Sequence, residues 1–297
     1  MCTSLTFRNE DFYCARNMDI EYSFGEKIII TPRKYVLNFK KEKTLTEHYA
    51  MIGIGAEQSA YPLYAEAINE KGLYAAALKF KAFYPDISKA KFQIAPYELI
   101  PWILAKCKSV NEARALLQSS DIINIPFNSE IGVSPLHYHI ADRENSITVE
   151  RGEDGLKIYK NDIGILTNDP PFDIHMKNLK DQNLNIPYIL GTKNKSLPGD
   201  FSSESRFLKL AYLKNNTVTE NGEASVKQTL FRLMAQCSVP KGSVITNDNK
   251  YHYTTYTVVI NVTKGIYYYN TYENIEIKEI GFLKENLDSE KLIMKEI

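Results

Sequence analysis

The chain is short of cysteine, histidine and tryptophan, and it carries no excess charge of either sign. Its four cysteines, Cys2, Cys14, Cys107 and Cys237, are scattered through 297 residues with no CxxC pair. That spacing argues for free thiols and against a disulfide framework. Thirty-six basic residues balance thirty-six acidic ones, and the pI is near 7. Such a balance gives no footprint for a polyanion, so nucleic acid is not an expected partner. No run of 18 apolar residues occurs, so no membrane span is expected. No basic stretch leads into an apolar one at the N-terminus, so no signal peptide is read and a cytoplasmic location is expected. The five histidines fall in no recognisable cysteine-protease signature. His137 and His139 share one face if Leu136 to Ala141 is a strand, and they read as ordinary sheet histidines rather than metal ligands. Gly53-Ile54-Gly55 is too short for a nucleotide fingerprint and reads as a sheet bend. There is no internal repeat, low-complexity tract or clear linker, so residues 2–297 are taken as one domain.

What is present starts at the second residue. Cys2 follows Met1 directly, and a small residue there favours removal of the initiator. Cleavage would leave one residue holding both a thiol and an α-amine, whose reference pKa is about 7.7–8.0. A nucleophile activated by its own amine is a known route to acyl transfer.

Strand-like runs dominate. Thr3 to Phe7 and Phe12 to Arg16 flank a polar turn and read as a hairpin that returns the chain to Cys2. Its register is not fixed by the sequence, and a slip of one residue would turn Arg16 to the other face. Further runs are Lys27 to Thr31, Tyr35 to Phe39, Tyr49 to Ile54, Leu73 to Phe80, Leu136 to Ala141, Ser146 to Glu150, Leu156 to Tyr159 and Gly164 to Thr167. Tyr253 to Val262, Gly265 to Tyr272 and Ile275 to Ile280 follow late in the chain. Helical spacing marks Pro96 to Cys107, Val110 to Gln118, Glu204 to Leu213 and Val226 to Cys237. Ser202-Ser203 offers an N-cap to the third. Short connections between strands, with helices in two groups, indicate an α+β fold of antiparallel sheets covered by helices.

Four polar pieces stand out. They are Cys2 with Arg16-Asn17-Met18-Asp19, then Ile68-Asn69-Glu70-Lys71-Gly72-Leu73, then Thr167-Asn168-Asp169-Pro170, and finally Leu197-Pro198-Gly199-Asp200-Phe201 with Ser205-Arg206-Phe207. In this order they resemble the choloylglycine hydrolase family of bile salt hydrolases and penicillin V acylases. These are cysteine N-terminal nucleophile hydrolases. The resemblance runs from Met1-Cys2-Thr3 to Gly265-Ile266-Tyr267-Tyr268-Tyr269-Asn270-Thr271-Tyr272.

The resemblance implies a four-layer αββα sandwich with Cys2 at a strand tip. It implies Cys2 as nucleophile, Arg16 beside the thiol, Asp19 holding the α-amine, Asn168 donating to the oxyanion and Arg206 completing the charged network. The backbone N–H of Lys79 would also serve the oxyanion. Met18, Tyr61, Lys79 and Ile131 are the expected substrate contacts. No cofactor and no metal is implied.

The expected partner is a small amphipathic amide, a conjugated bile salt before penicillin V or an acyl homoserine lactone. A protein that binds such amides without cleaving them is the reading from another class. A homo-oligomer, dimer or tetramer, is also implied. There are two departures from the family pattern. Lys79 stands where bile salt hydrolases carry Asn, and the loop from Asp181 to Ser196 is shorter than the segment that helps many relatives form tetramers.

Overall fold

The structure, a computed structural model, describes residues 1–180 and 197–297. The loop from Asp181 to Ser196 lies outside the described residues. The strands in chain order are β1 (Cys2–Arg8), β2 (Phe12–Ile20), β3 (Lys27–Thr31), β4 (Met51–Gln58), β5 (Tyr61–Asn69), β6 (Tyr74–Lys79), β7 (Phe92–Ile94), β8 (Ser120–Ile122), β9 (Leu136–Ala141), β10 (Ser146–Gly152), β11 (Gly155–Lys160), β12 (Ile165–Leu166), β13 (Tyr253–Asn261), β14 (Ile266–Thr271), β15 (Lys278–Gly281) and β16 (Ile293–Glu296). The helices are α1 (Leu99–Lys106), α2 (Val110–Leu117), α3 (Phe172–Lys180), α4 (Ser203–Asn216) and α5 (Glu223–Ala235).

Two antiparallel sheets form the centre. The first is ordered β12-β1-β2-β13-β14-β15 and the second β11-β10-β9-β6-β5-β4-β3-β16. Strands β7 and β8 pair in parallel in a small sheet of their own. Helix α5 packs on β2 and β13 of the first sheet, and α1 packs on β4, β5 and β6 of the second. One apolar cluster fills the space between the sheets and under α4 and α5; Leu5, Ile52, Ile68, Tyr74, Phe207, Leu230 and Val258 belong to it. A second cluster, built on Ala75, Trp102, Ile103 and Tyr138, seals α1 and α2 to the other sheet. The layers therefore run αββα.

Local chemistry explains the boundaries. Ser202 caps α4 by accepting from the Ser205 N–H at 3.2 Å, and Ser109 caps α2 through Glu112 N–H at 3.3 Å. Pro101 lies in the first turn of α1, where its missing N–H is harmless. Tyr35 to Phe39 is not a strand; only Leu37 bridges there, to Leu45. Strand β5 and helix α3 are additional to the elements the periodicity gives.

One irregularity matters for the site. The β4–β5 register shifts between Ile54 and Gly55, which leaves Ala65 as an extra residue in β5. Gly53 and Gly55 lie against this bulge. A Cβ on Gly53 would collide with the Glu66 carbonyl, and one on Gly55 with the Leu63 carbonyl.

Candidate active site

The β1–β2 hairpin pairs Cys2 with Met18, Thr3 with Asn17 and Ser4 with Arg16. Side chains alternate along a strand, so Cys2, Ser4, Arg16 and Met18 share the face toward the second sheet. Thr3, Asn17 and Asp19 face the helices. A single residue at the tip thus meets two different environments.

On the inner face, Cys2 Sγ lies 3.5 Å from Arg16 Nη2 and 3.7 Å from Met18 Sδ. The Arg16 guanidinium is inserted where β5 and β6 part. Their ladder stops at Glu66↔Ala76, and beyond it Arg16 donates to the carbonyls of Ala65 and, at 2.7 Å, Ala77. The bulge at Ala65 supplies one of those two carbonyls. Glu66 Oε2 lies 3.3 Å from Arg16 Nη1. Burial opposes the charge on Arg16, but the Cys2 sulfur and the Glu66 carboxylate outweigh it and hold its pKa above the ordinary value. A permanent cation therefore sits against the thiol.

On the helix face, the Cys2 backbone N–H donates to Asn168 Oδ1 at 2.8 Å. Arg206 donates to the same oxygen at 2.8 Å, to the Cys2 carbonyl and, at 2.6 Å, to Thr3 Oγ1. Two donors on one atom fix the Asn168 amide orientation. Its Nδ2 donates to the Lys79 carbonyl at 2.7 Å, which leaves one N–H of that nitrogen for another acceptor. Asp19 accepts from Thr254 Oγ1 at 2.6 Å through Oδ1. Its Oδ2 is buried without a hydrogen-bond partner, with Arg206 Nη1 3.9 Å away.

Lys79 ends β6. The neighbouring Phe80 N–H bonds to the Pro135 carbonyl, continuing the β6–β9 pairing. Alternation in an antiparallel ladder then points the Lys79 N–H and C=O away from β9, toward Asn168 and the gap beyond the β5–β6 ladder.

These groups open on a cleft of about 390 Å³. Cys2, Arg16, Met18, Asp19, Lys79 and Ile131 line it, with Phe24, Leu63, Tyr97 and Phe127 among its apolar members and Glu21 and His252 among its polar ones. Tyr61 is not brought to it. That side chain packs behind the wall, 5.7 Å from the Tyr97 ring and 6.0 Å from the Phe127 ring, and borders a separate cavity. Met1 also lines the cleft, with its amine donating to the Asp19 carbonyl at 3.0 Å and touching His252 Nε2. Burial lowers the pKa of that amine.

The model of the choloylglycine hydrolases, a family of linear amide C–N hydrolases, matches residues 2–295. The chain belongs to the choloylglycine hydrolase family. It is an amidase acting on linear C–N bonds. It is similar to the bile salt hydrolase/transferase of Lactiplantibacillus plantarum, 39% identical over 310 residues that span 99% of this chain and 96% of that protein. Among solved structures, a mutant conjugated bile acid hydrolase from Clostridium perfringens superposes with TM-score 0.88 at 34% identity, covering 100% of this chain and 97% of that one. Penicillin V acylase from Agrobacterium tumefaciens shares the fold at TM-score 0.81 and 20% identity, covering 99% and 90%.

Around this choloylglycine hydrolase site stand residues whose support of Asn168 no sequence motif flags. Ser203 Oγ accepts from the Asn168 N–H at 2.8 Å, and His175 Nε2 lies 2.9 Å from the Asn168 carbonyl. His175 stacks on Phe207, one residue past Arg206. Together they hold Asn168 from both of its backbone groups. His137 and His139 are core residues. His137 bonds to Glu150 and the Thr167 carbonyl, and His139 bridges Ser4 and Ser146. Burial pushes the His139 pKa down to about 3. Among the described residues no group of three or more His, Cys, Asp or Glu is placed to hold a metal ion. No helix there is long and apolar enough to cross a membrane.

Proposed function

We propose that this chain hydrolyses the amide bond of glycine- and taurine-conjugated bile salts through a thioester on Cys2, once Met1 has been removed. The observation that carries the reading is the two-sided placement of Cys2. Its sulfur meets Arg16 at 3.5 Å on the cleft side, and its nitrogen meets Asn168 at 2.8 Å on the other. Removing Met1 turns that nitrogen into an amine. Asp19 Oδ2 is buried with no hydrogen-bond partner. A carboxylate oxygen left so is costly, and the new ammonium is the group suited to satisfy it.

The steps then follow. The amine takes the thiol proton, and Sγ attacks the amide carbon. The oxyanion receives the free N–H of Asn168 and the Lys79 backbone N–H. The amine passes its proton to the leaving nitrogen, the C–N bond breaks, and an acyl thioester remains. Water, deprotonated by the same amine, adds to the thioester through the same oxyanion site. The acid leaves and the thiol is restored. Residues 2–297 act as one unit in this scheme.

The similarity to relatives named for bile salts supports the acyl group assigned here. So does the cleft, where Met18, Phe24 and Ile131 offer apolar contact beside a few polar groups. A side-by-side assay tests it: glycocholate and taurocholate are expected to be turned over at least about tenfold faster in kcat/KM than penicillin V, a preference of about 1.4 kcal/mol. A preference for penicillin V would reject the bile salt assignment while leaving the mechanism standing.

The departure at Lys79 yields a second test. Its side chain is exposed and lines the cleft. A flexible cation there meets the anionic glycine or taurine tail, while the backbone serves the chemistry. Lys79→Asn should keep kcat within about threefold and lower the bile salt to penicillin V ratio of kcat/KM by about two- to fivefold, the worth of an exposed ion pair. The loss should shrink at high salt. An unchanged ratio means that Lys79 does not read the substrate, and a collapse of kcat for both substrates means that the side chain is catalytic.

A further inference from the structure

Glu66 is a carboxylate in the layer between the two sheets. It is fully buried, on β5 one residue past the Ala65 bulge, and it does not line the cleft. Ionised side chains are expensive in such places unless paired. Its Oε2 accepts from Tyr256 at 2.8 Å and faces Arg16 Nη1 at 3.3 Å, while Oε1 has no hydrogen-bond partner. Arg16 Nε is likewise buried without one. The other arm of the same guanidinium touches Cys2 Sγ at 3.5 Å. One cation thus stands between two groups that each favour it when negative.

We propose that Glu66 is a positioning residue that fixes Arg16 beside the Cys2 sulfur and, by gaining or losing its own proton, sets how much of the Arg16 charge that sulfur receives. The inference rests on Cys2 as the nucleophile, not on the identity of the acyl group.

The surroundings leave Glu66 free to act in this way. The groups that face it are Arg16 from β2, Tyr256 from β13, Tyr74 from β6, Tyr267 from β14 and the Ile54 backbone from β4. Burial holds Tyr74, Tyr256 and Tyr267 well above the ordinary tyrosine range, so all three stay neutral. Burial also raises Glu66 itself, against the pull of Arg16, to about 7. The sign follows. Below about pH 7 the carboxyl is neutral and Arg16 serves the sulfur alone. Above it the carboxylate claims part of that charge, and a negative sulfur is less well supported.

The experiment follows two readouts across pH 5.5 to 8.5 on protein confirmed to begin at Cys2. One is the rate of Cys2 alkylation by iodoacetamide, read on the N-terminal peptide by mass spectrometry. The other is kcat/KM on glycocholate. Relative to Glu66→Gln, which keeps the shape and cannot ionise, wild type should fall by about threefold or more near pH 7 in both profiles, a step laid over the pH dependence that the Cys2 amine gives to both proteins. Glu66→Gln should retain activity at pH 6. Tyr256→Phe removes a donor that favours the carboxylate, so its step should move to higher pH.

Superimposable profiles for wild type and Glu66→Gln would overturn the proposal. So would an equal loss at every pH, which is the mark of a packing role. If Glu66→Gln fails to fold by near-ultraviolet circular dichroism, Tyr256→Phe decides, and an unmoved step overturns. Absent turnover of glycocholate with an intact alkylation step would instead reject the substrate reading and keep Glu66.

Discussion

Cys2→Ala is expected to lower amide hydrolysis by at least about 10⁴-fold and to leave the fold unchanged. The size follows from removing the atom that carries the acyl group, because what survives without a nucleophile is binding and oxyanion stabilisation alone. The fold should survive because the ladder does not depend on that side chain. Cys2 to Arg8 pairs with Phe12 to Met18 at seven positions through the backbone. Cys2 Sγ contacts Met18 and Arg16 at the edge of a cleft, so alanine there opens onto existing space. Arg16 keeps its two carbonyl partners and Glu66. Activity, near-ultraviolet circular dichroism and the midpoint of thermal unfolding, measured together, decide the point. Residual turnover within about tenfold of wild type, with the fold intact, would remove Cys2 from the mechanism.

Asn168→Ala should lower kcat by about 10²–10³-fold with little change in KM, the usual effect of losing one oxyanion donor. Asn168 also accepts from the Cys2 nitrogen and Arg206, so alanine orphans a buried guanidinium arm as well. Asn168→Asp separates the two roles. It keeps an acceptor for Arg206 and the amine but loses the donor, and it should lose kcat to a similar extent. A rise in KM with kcat preserved would make Asn168 a binding residue.

The sequence makes some of this visible and hides the rest, for physical reasons. The hairpin is legible because alternation and a polar turn are local signals. Its register is not, and the register decides the chemistry. Pairing Cys2 with Met18 puts Arg16 on the thiol face and Asp19 on the opposite one. Only the completed sheet, with β12 on one side and β13 on the other, fixes that choice. Helix α4 follows from its serine cap and spacing, and α5 from spacing alone. Strand β5 does not, because Pro62, the Ala65 bulge and the buried Glu66 all break its alternation.

The same break explains why Glu66 carries no motif. A glutamate in a strand reads as an exposed residue until a bulge and a cation from another sheet are placed against it. Tyr61 shows the converse. It is aromatic and near the right strand, but Tyr97 and Phe127 stand between it and the cleft. His175 and Ser203 support Asn168 through backbone contacts, which spacing in the chain does not encode.

In the proposed mechanism one residue supplies both the nucleophile and the base. This is tested most directly by quenching the enzyme in acid during turnover of glycocholate and weighing its N-terminal peptide. The peptide should begin at Cys2, lack Met1 and carry the cholyl group on that residue, with the adduct absent in Cys2→Ala. Full turnover by protein that retains Met1, or a cholyl adduct on any other residue, would contradict it.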